Sequence, residues 1–258
     1  VVISAIDSTD IVKRMEEIHK TSAVVSAALG RMLTASQLMA STLKSASDTI
    51  TLRIKADGPI GLITVACDGR GHCKGYVENN VVEIPLRRDG KLDVGSAVGR
   101  NGQLYVVKDI GMKEPYVGSI PLESGEIAED ITAYYAYSEQ IPTVCALGVL
   151  VNPDLSIKCA GGYLLQLLPG ATEEEISLVE NNIKNIPSIT SFFESGHDVY
   201  DIINTVMDGF NPSILDETDV KYQCDCSRER VKKALISIGI KDLEMLRDEE
   251  DQIEMGCQ

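Results

Sequence analysis

Near residue 48 the apolar side chains change from a helical period to a strand period, which calls for a chain that builds its helices and its sheet from separate stretches. Upstream, "STDIVKRMEEIHK" offers Ser or Thr caps and sets Ile11, Met15 and Ile18 on one face. A second helix follows over "TSAVVSAALGRMLTASQLMASTLKS", whose Ala, Ser and Gly residues suit close packing. Downstream, "TITLRIKADGPIGLITVACDGRGHCKGYVEN" alternates apolar and polar residues around the turn signals "DGPIG" and "DGRG". Strands continue through "GQLYVVKDIGMKEPYVGSIPL", a helix is expected at "SGEIAEDITAYYAYSEQ", and "TVCALGVLVN" and "SIKCAGGYLLQLLPG" read as buried strands. The expectation is an α+β fold with an N-terminal helix-and-sheet domain over residues 1–170.

Residues 171–220 have a different character and read as an acidic helical linker. Thr172 to Glu175 forms a capping box at the head of "ATEEEISLVENNIKNI", and "HDVYDIINTVMDGF" repeats the helical pattern. From residue 171 onward there are 20 acidic against 8 basic side chains, so −12 of the chain's net charge of −15 lies in its last third. Such a balance argues against nucleic acid as a partner, because phosphate binding needs a basic face. Apolar runs such as "VCALGVLV" are too short to span a bilayer, and the N-terminus lacks a basic segment followed by an apolar one, so a cytoplasmic protein without a membrane partner is expected.

The remaining segment, 221–258, carries Cys224 and Cys226 in "KYQCDCSRERVKK" and Cys257 in "EMGCQ". Helices are expected from Arg228 to about Ser237 and again from a cap at Asp242, with a break at Gly239. A piece this small, with few large apolar side chains, gains stability from a metal or a disulfide. Tetrahedral Zn²⁺ held by Cys224, Cys226 and Cys257 would supply roughly 10–16 kcal/mol of apparent binding energy to its folding. Ser227 can cap a helix whose N-terminus favours thiolate at Cys226, and Arg228, Arg230, Lys232 and Lys233 would balance an anionic cluster. Three alternatives stay open on the residues alone: incidental thiols, a static zinc-stabilised interaction module, and a thiol-disulfide oxidoreductase. The last lacks a Cys-x-x-Cys after a βαβ pattern.

Taken together, "TSAVVSAALGRMLTASQLM", "ADGPIG", "GKLDVGSAVG", "VVKDIGMKEPYVGSIPLESGEIAEDITAYYAYSEQIPT", "AGGYLLQLLPGA" and "CDCSRERVKKALISIG" resemble the bacterial thirty-three-kilodalton heat-shock family of redox-regulated holdase chaperones. The resemblance covers essentially the whole chain. It implies a non-enzymatic, ATP-independent chaperone whose zinc motif is Cys-x-Cys, some thirty residues, then Cys-x-x-Cys. Cys224 and Cys226 match the first pair and Cys257 the third ligand, and the fourth, which is also the disulfide partner of Cys257, is expected past Gln258 in a truncated C-terminal zinc domain. The resemblance further implies that the reduced, zinc-bound form is inactive. Oxidation to disulfides, Cys224 with Cys226, would release zinc, unfold the switch and linker, and allow binding of unfolded or oxidatively damaged clients by a homodimer.

Other residues read more plainly. Cys67 and Cys73, with His72 between them, flank a hairpin turn and read as structural, as do Cys145 and Cys159 in apolar strands. Gly161 and Gly162 suit close packing, since no Lys-Ser/Thr continuation makes a phosphate loop. His19 and His197 have no evident partner in sequence, and the linker holds all three phenylalanines, Phe192, Phe193 and Phe210.

Overall fold

The computed structural model describes residues 1–224 and 227–249. The chain divides into two compact units, Val1–Tyr222 and Gln223–Gln258. In the first, β1 (Val2–Asp7), α1 (Thr9–His19) and α2 (Ala23–Ala40) lead into the strands β2 (Thr49–Ala56), β3 (Leu62–Asp68) and β4 (His72–Val77). The short α3 (Val94–Val98), β5 (Gly102–Asp109), β6 (Tyr116–Pro121) and α4 (Ala128–Tyr134) follow, α4 running on into one π-helical turn over Tyr135–Glu139. Then come β7 (Thr143–Val151), β8 (Ile157–Gln166), α5 (Glu173–Lys184), α6 (Ile189–Glu194), α7 (Val199–Val206) and the two-residue β9 (Lys221–Tyr222).

Two sheets result, one ordered β1-β8-β7 and the other β6-β5-β2-β3-β4-β9. All neighbours are antiparallel except β4 and β9. This mixed α+β architecture follows from the change of period near residue 48. β1 was not expected: it pairs with β8 in a register that joins Val2 to Gln166. The second helix ends at Ala40 rather than near Ser45, and Ile18 is 48% exposed although Ile11 and Met15 are buried.

The core forms around α2, which touches strands of both sheets. By length and composition alone this helix could cross a membrane, yet 89% of it is buried inside the protein. It is apolar nearly all round because both its sides face protein. Leu29, Met32 and Leu33 have no exposed surface, and each such burial contributes about 1.5–3 kcal/mol.

β8 separates this core from a second one. Ala160 and Leu164 face α2, whereas Tyr163 and Leu165 face Val179, Ile189, Phe192, Ile202, Val206 and Met207 of α5 to α7 and the turn after them. A strand covered on both faces reads as a continuous apolar run, as "CAGGYLL" does.

In the second unit, α8 (Arg228–Ile238) and α9 (Ile240–Glu249) pack on each other. The break falls at Gly239, with φ 97°. Asp242 lies in the first turn of α9 rather than at its cap, because the helix already begins at Ile240.

Candidate functional site

Three short helices cover the outer face of the β1-β8-β7 sheet. Their lengths are 12, 6 and 8 residues, at or below what stands alone in water, so docking sustains them. Each has its own start signal. Thr172 and Glu175 make the expected capping box on α5, the Ser188 hydroxyl accepts from Ser191 N–H on α6, and Asp198 and Asp201 make a second box on α7.

α6 sits on glycines. Gly148 and Gly161 are register partners in β7 and β8. A Cβ on Gly148 would lie 2.9 Å from Thr190 Cγ2, and one on Gly161 would lie 2.5 Å from the Phe193 ring. The "AGGY" glycine therefore serves close packing, as its sequence suggested. Phe192 is buried beside His197, their rings 4.6 Å apart, and Lys158 pairs with Glu194 at the seam. His197 Nδ1 also lies 3.3 Å from Asp201 Oδ2. An open cleft along this seam is lined by Asp7, Lys13, Lys158, Cys159, Phe193 and His197.

Further fixings hold the rest. Asn182 donates to Val206 O at 3.0 Å and to Asp208 O at 2.9 Å, tying α5 to the end of α7. Tyr200 donates to Glu217 at 2.8 Å. Lys221 N–H donates to Gly71 O at 2.9 Å, and the Tyr222 hydroxyl donates to Gly75 O at 2.9 Å while lying 2.8 Å from His19 Nε2. Residues 171–220 carry eleven acidic side chains and one basic, so the cover is self-repelling and the gain from docking is correspondingly reduced.

Cys224 follows β9 by two residues and is exposed. Cys226 and Cys257 lie outside the described residues. Among the described residues no three His, Cys, Asp or Glu side chains converge. The chemistry nevertheless suits a metal: Ile236, Ile240 and Met245 are exposed on α8 and α9, so the described helices of this unit bury few of their large apolar side chains. An exposed thiol in a unit whose described helices bury so little is one whose ligation as thiolate would contribute folding energy.

The other cysteines differ. Cys67, Cys73 and Cys159 are buried and Cys145 half-buried. Burial pushes the Cys73 thiol up to about 12 and raises Cys67, Cys145 and Cys159 as well, which makes thiolate scarce.

The chain matches the Hsp33 protein family over residues 1–258. It belongs to the Hsp33 family. It is 48% identical to the 33 kDa chaperonin of Clostridioides difficile (strain 630) over 247 residues, covering 96% of this chain and 84% of that one. The 33 kDa chaperonin of Lachnoclostridium phytofermentans is also 48% identical, over 97% of this chain and 85% of its own length. The crystal structure of the 33 kDa chaperonin from Thermotoga maritima superposes with a TM-score of 0.86 at 37% identity, covering 96% of this chain and 84% of that one. Hsp33 is a chaperonin family and not an enzyme family, and its clients are unfolded proteins.

Proposed function

We propose that this Hsp33 chain is a cytoplasmic, redox-regulated, ATP-independent holdase in which α5 to α7 are the releasable cover and Cys224, Cys226 and Cys257 the sensor. One observation carries the reading. The cover is built of short, acidic helices over an apolar sheet face, and its chain runs through β9 to the exposed Cys224 only two residues later. Cys224, Cys226 and Cys257 would be the zinc ligands, and zinc, when bound, would supply folding energy to the second unit.

The chain's own residues do the rest. Peroxide takes a thiolate of the Cys224–Cys226 pair to a sulfenic acid, and the neighbouring thiolate displaces water to close the disulfide. Cys257 pairs likewise with a cysteine outside this sequence. Loss of the ligand thiolates removes support from α8 and α9, and strain on the adjoining segment pulls at β9. Once the Tyr222 and Lys221 contacts part, helices this short do not persist. Ile3, Tyr163 and Leu165 on the sheet, and Phe192, Ile202 and Val206 on the helices, then become apolar surface for unfolded clients. The active form associates as a homodimer.

Light scattering from a thermally unfolding client tests this, with the chain added either reduced and zinc-loaded or oxidised by peroxide at raised temperature. Suppression by the oxidised form alone is the expected result. Equal suppression by both forms, or none by either, would overturn the redox-switch reading.

A further inference from the structure

We propose that Cys67 and Cys73 form a second dithiol-disulfide couple, built into the six-stranded sheet and shielded by β9. The two residues face each other across antiparallel β3 and β4. Glu78 N–H donates to Leu62 O at 2.8 Å, and counting along the ladder from that bonded position leaves 67 and 73 as a pair without mutual backbone bonds. The Cα atoms of such pairs approach to about 4.5 Å, within the roughly 4.4–6.8 Å that a disulfide spans.

Both side chains belong to the core face, under α2. There Cys67 Sγ donates to Gln37 Oε1 at 3.0 Å. Gln37 also donates to Gly71 O at 2.8 Å, so one amide ties the Cys67 sulfur to the hairpin turn that carries Cys73. His72 points to the other side of the strand and faces Asp68 at 3.6 Å. The pair is thus a dithiol and not a fragment of a metal site.

β9 decides access. Cys73 is the register partner of Tyr222, and Asp219 O lies 2.6 Å from where a Cβ on Gly71 would stand. Residues 219–222 therefore seal the open edge of the hairpin. With that edge sealed the thiols stay protonated and buried, at 2% and 1% exposure. When β9 parts, a peroxide oxidises one thiolate to a sulfenic acid and leaves as water. The facing thiolate attacks that sulfur, the S–S bond forms, and a second water departs, so two electrons pass from the pair to the peroxide. The couple is independent of the metal site and records the opening of β9 as a covalent bond.

The test is peroxide treatment of the full chain at neutral pH, acid quench, alkylation of the unfolded protein and non-reducing peptide mapping that reads every cysteine separately. Lys221→Pro removes the N–H that reaches Gly71 O. The cross-link between Cys67 and Cys73 is expected to form about tenfold faster in that variant than in the parent chain, the factor one lost hydrogen bond gives an opening equilibrium. Tyr222→Phe, which keeps the ring, should shift the rate the same way and serves if Lys221→Pro folds poorly. A cross-link forming equally fast in all three proteins would remove the shield. Cys67 and Cys73 still alkylatable, or found as sulfinic acids, after Cys224 is fully oxidised would remove the couple itself. Because Cys224, Cys226 and Cys257 are mapped separately, failure of the metal-site reading leaves this result intact.

Discussion

His19 Nε2 lies 2.8 Å from the Tyr222 hydroxyl, joining the end of α1 to the last residues before Cys224. The phenol commits its proton to Gly75 O, so the imidazole donates through Nε2. The contact closes the cover where it is nearest in sequence to the sensor.

That contact makes the closed cover sensitive to acid. Desolvation holds His19 below its ordinary value of 6.5, with only a partial offset from the bond to the Gly75 backbone. A histidine lowered in the folded state contributes fully above its unfolded value and loses that contribution as pH falls through 6.5 toward the folded value. Amide exchange at residues 220–222 should therefore quicken between pH 7.5 and about 5.5 beyond the intrinsic chemical rate. His19→Asn should abolish this dependence, and an unchanged profile in that variant would assign it to another group.

Gly148→Ala should lift α6, because the three atoms nearest its Cβ would be those of Thr190 and Ile189, at 2.9–3.2 Å. Overpacking of this kind costs about 1–3 kcal/mol. Exchange should rise over residues 189–194 while α2 stays protected, and aggregation of a client should be partly suppressed without oxidant. Full protection of α6 in the variant would mean that the helix does not rest on the glycine floor.

Asp130 anchors the loop that enters α4. It is fully buried, Oδ1 accepting from the N–H groups of Glu123 at 2.8 Å, Ser124 at 3.1 Å and Gly125 at 3.4 Å, and Oδ2 from Ile127 at 2.9 Å. Asp130→Ala should lose about 3 kcal/mol in denaturant unfolding of the first unit. Asp130→Asn should lose nearly as much, since an amide nitrogen cannot accept, and a neutral Asp130→Asn would show that the carboxylate's second oxygen is dispensable.

Cys224→Ser tests the metal reading. The parent chain should bind zinc with its apparent energy feeding the folding of the second unit, and Cys224→Ser should bind it at least tenfold more weakly. Chelation should remove helical signal from α8 and α9 and loosen β9 and the α5 to α7 cover, while α2 stays protected. Equal zinc content in parent and variant would exclude Cys224 as a ligand.

Local patterns carried much of this fold. The β2-β3-β4 meander was legible because its apolar residues alternate cleanly, α2 because its Ala, Ser and Gly content suits a closely packed helix, and Thr172 with Glu175 announced α5. β1 was not, since "VISAID" is half-buried along most of its length without clear alternation and finds its partner more than 150 residues away. The carboxylate nest at Asp130 was hidden because the residue at the cap is Ile127, at φ 73°. Cys224 was legible from its spacing to Cys226, but the tie between His19 and Tyr222 spans 203 residues and leaves no local trace.

The most direct measurement is hydrogen exchange over residues 173–206, comparing the reduced, zinc-loaded chain with the chain oxidised at Cys224. Protected amides are expected in the first state, and loss of protection across α5, α6 and α7 together in the second, with α2 unchanged. Holdase activity appearing while those amides remain protected would contradict the releasable cover.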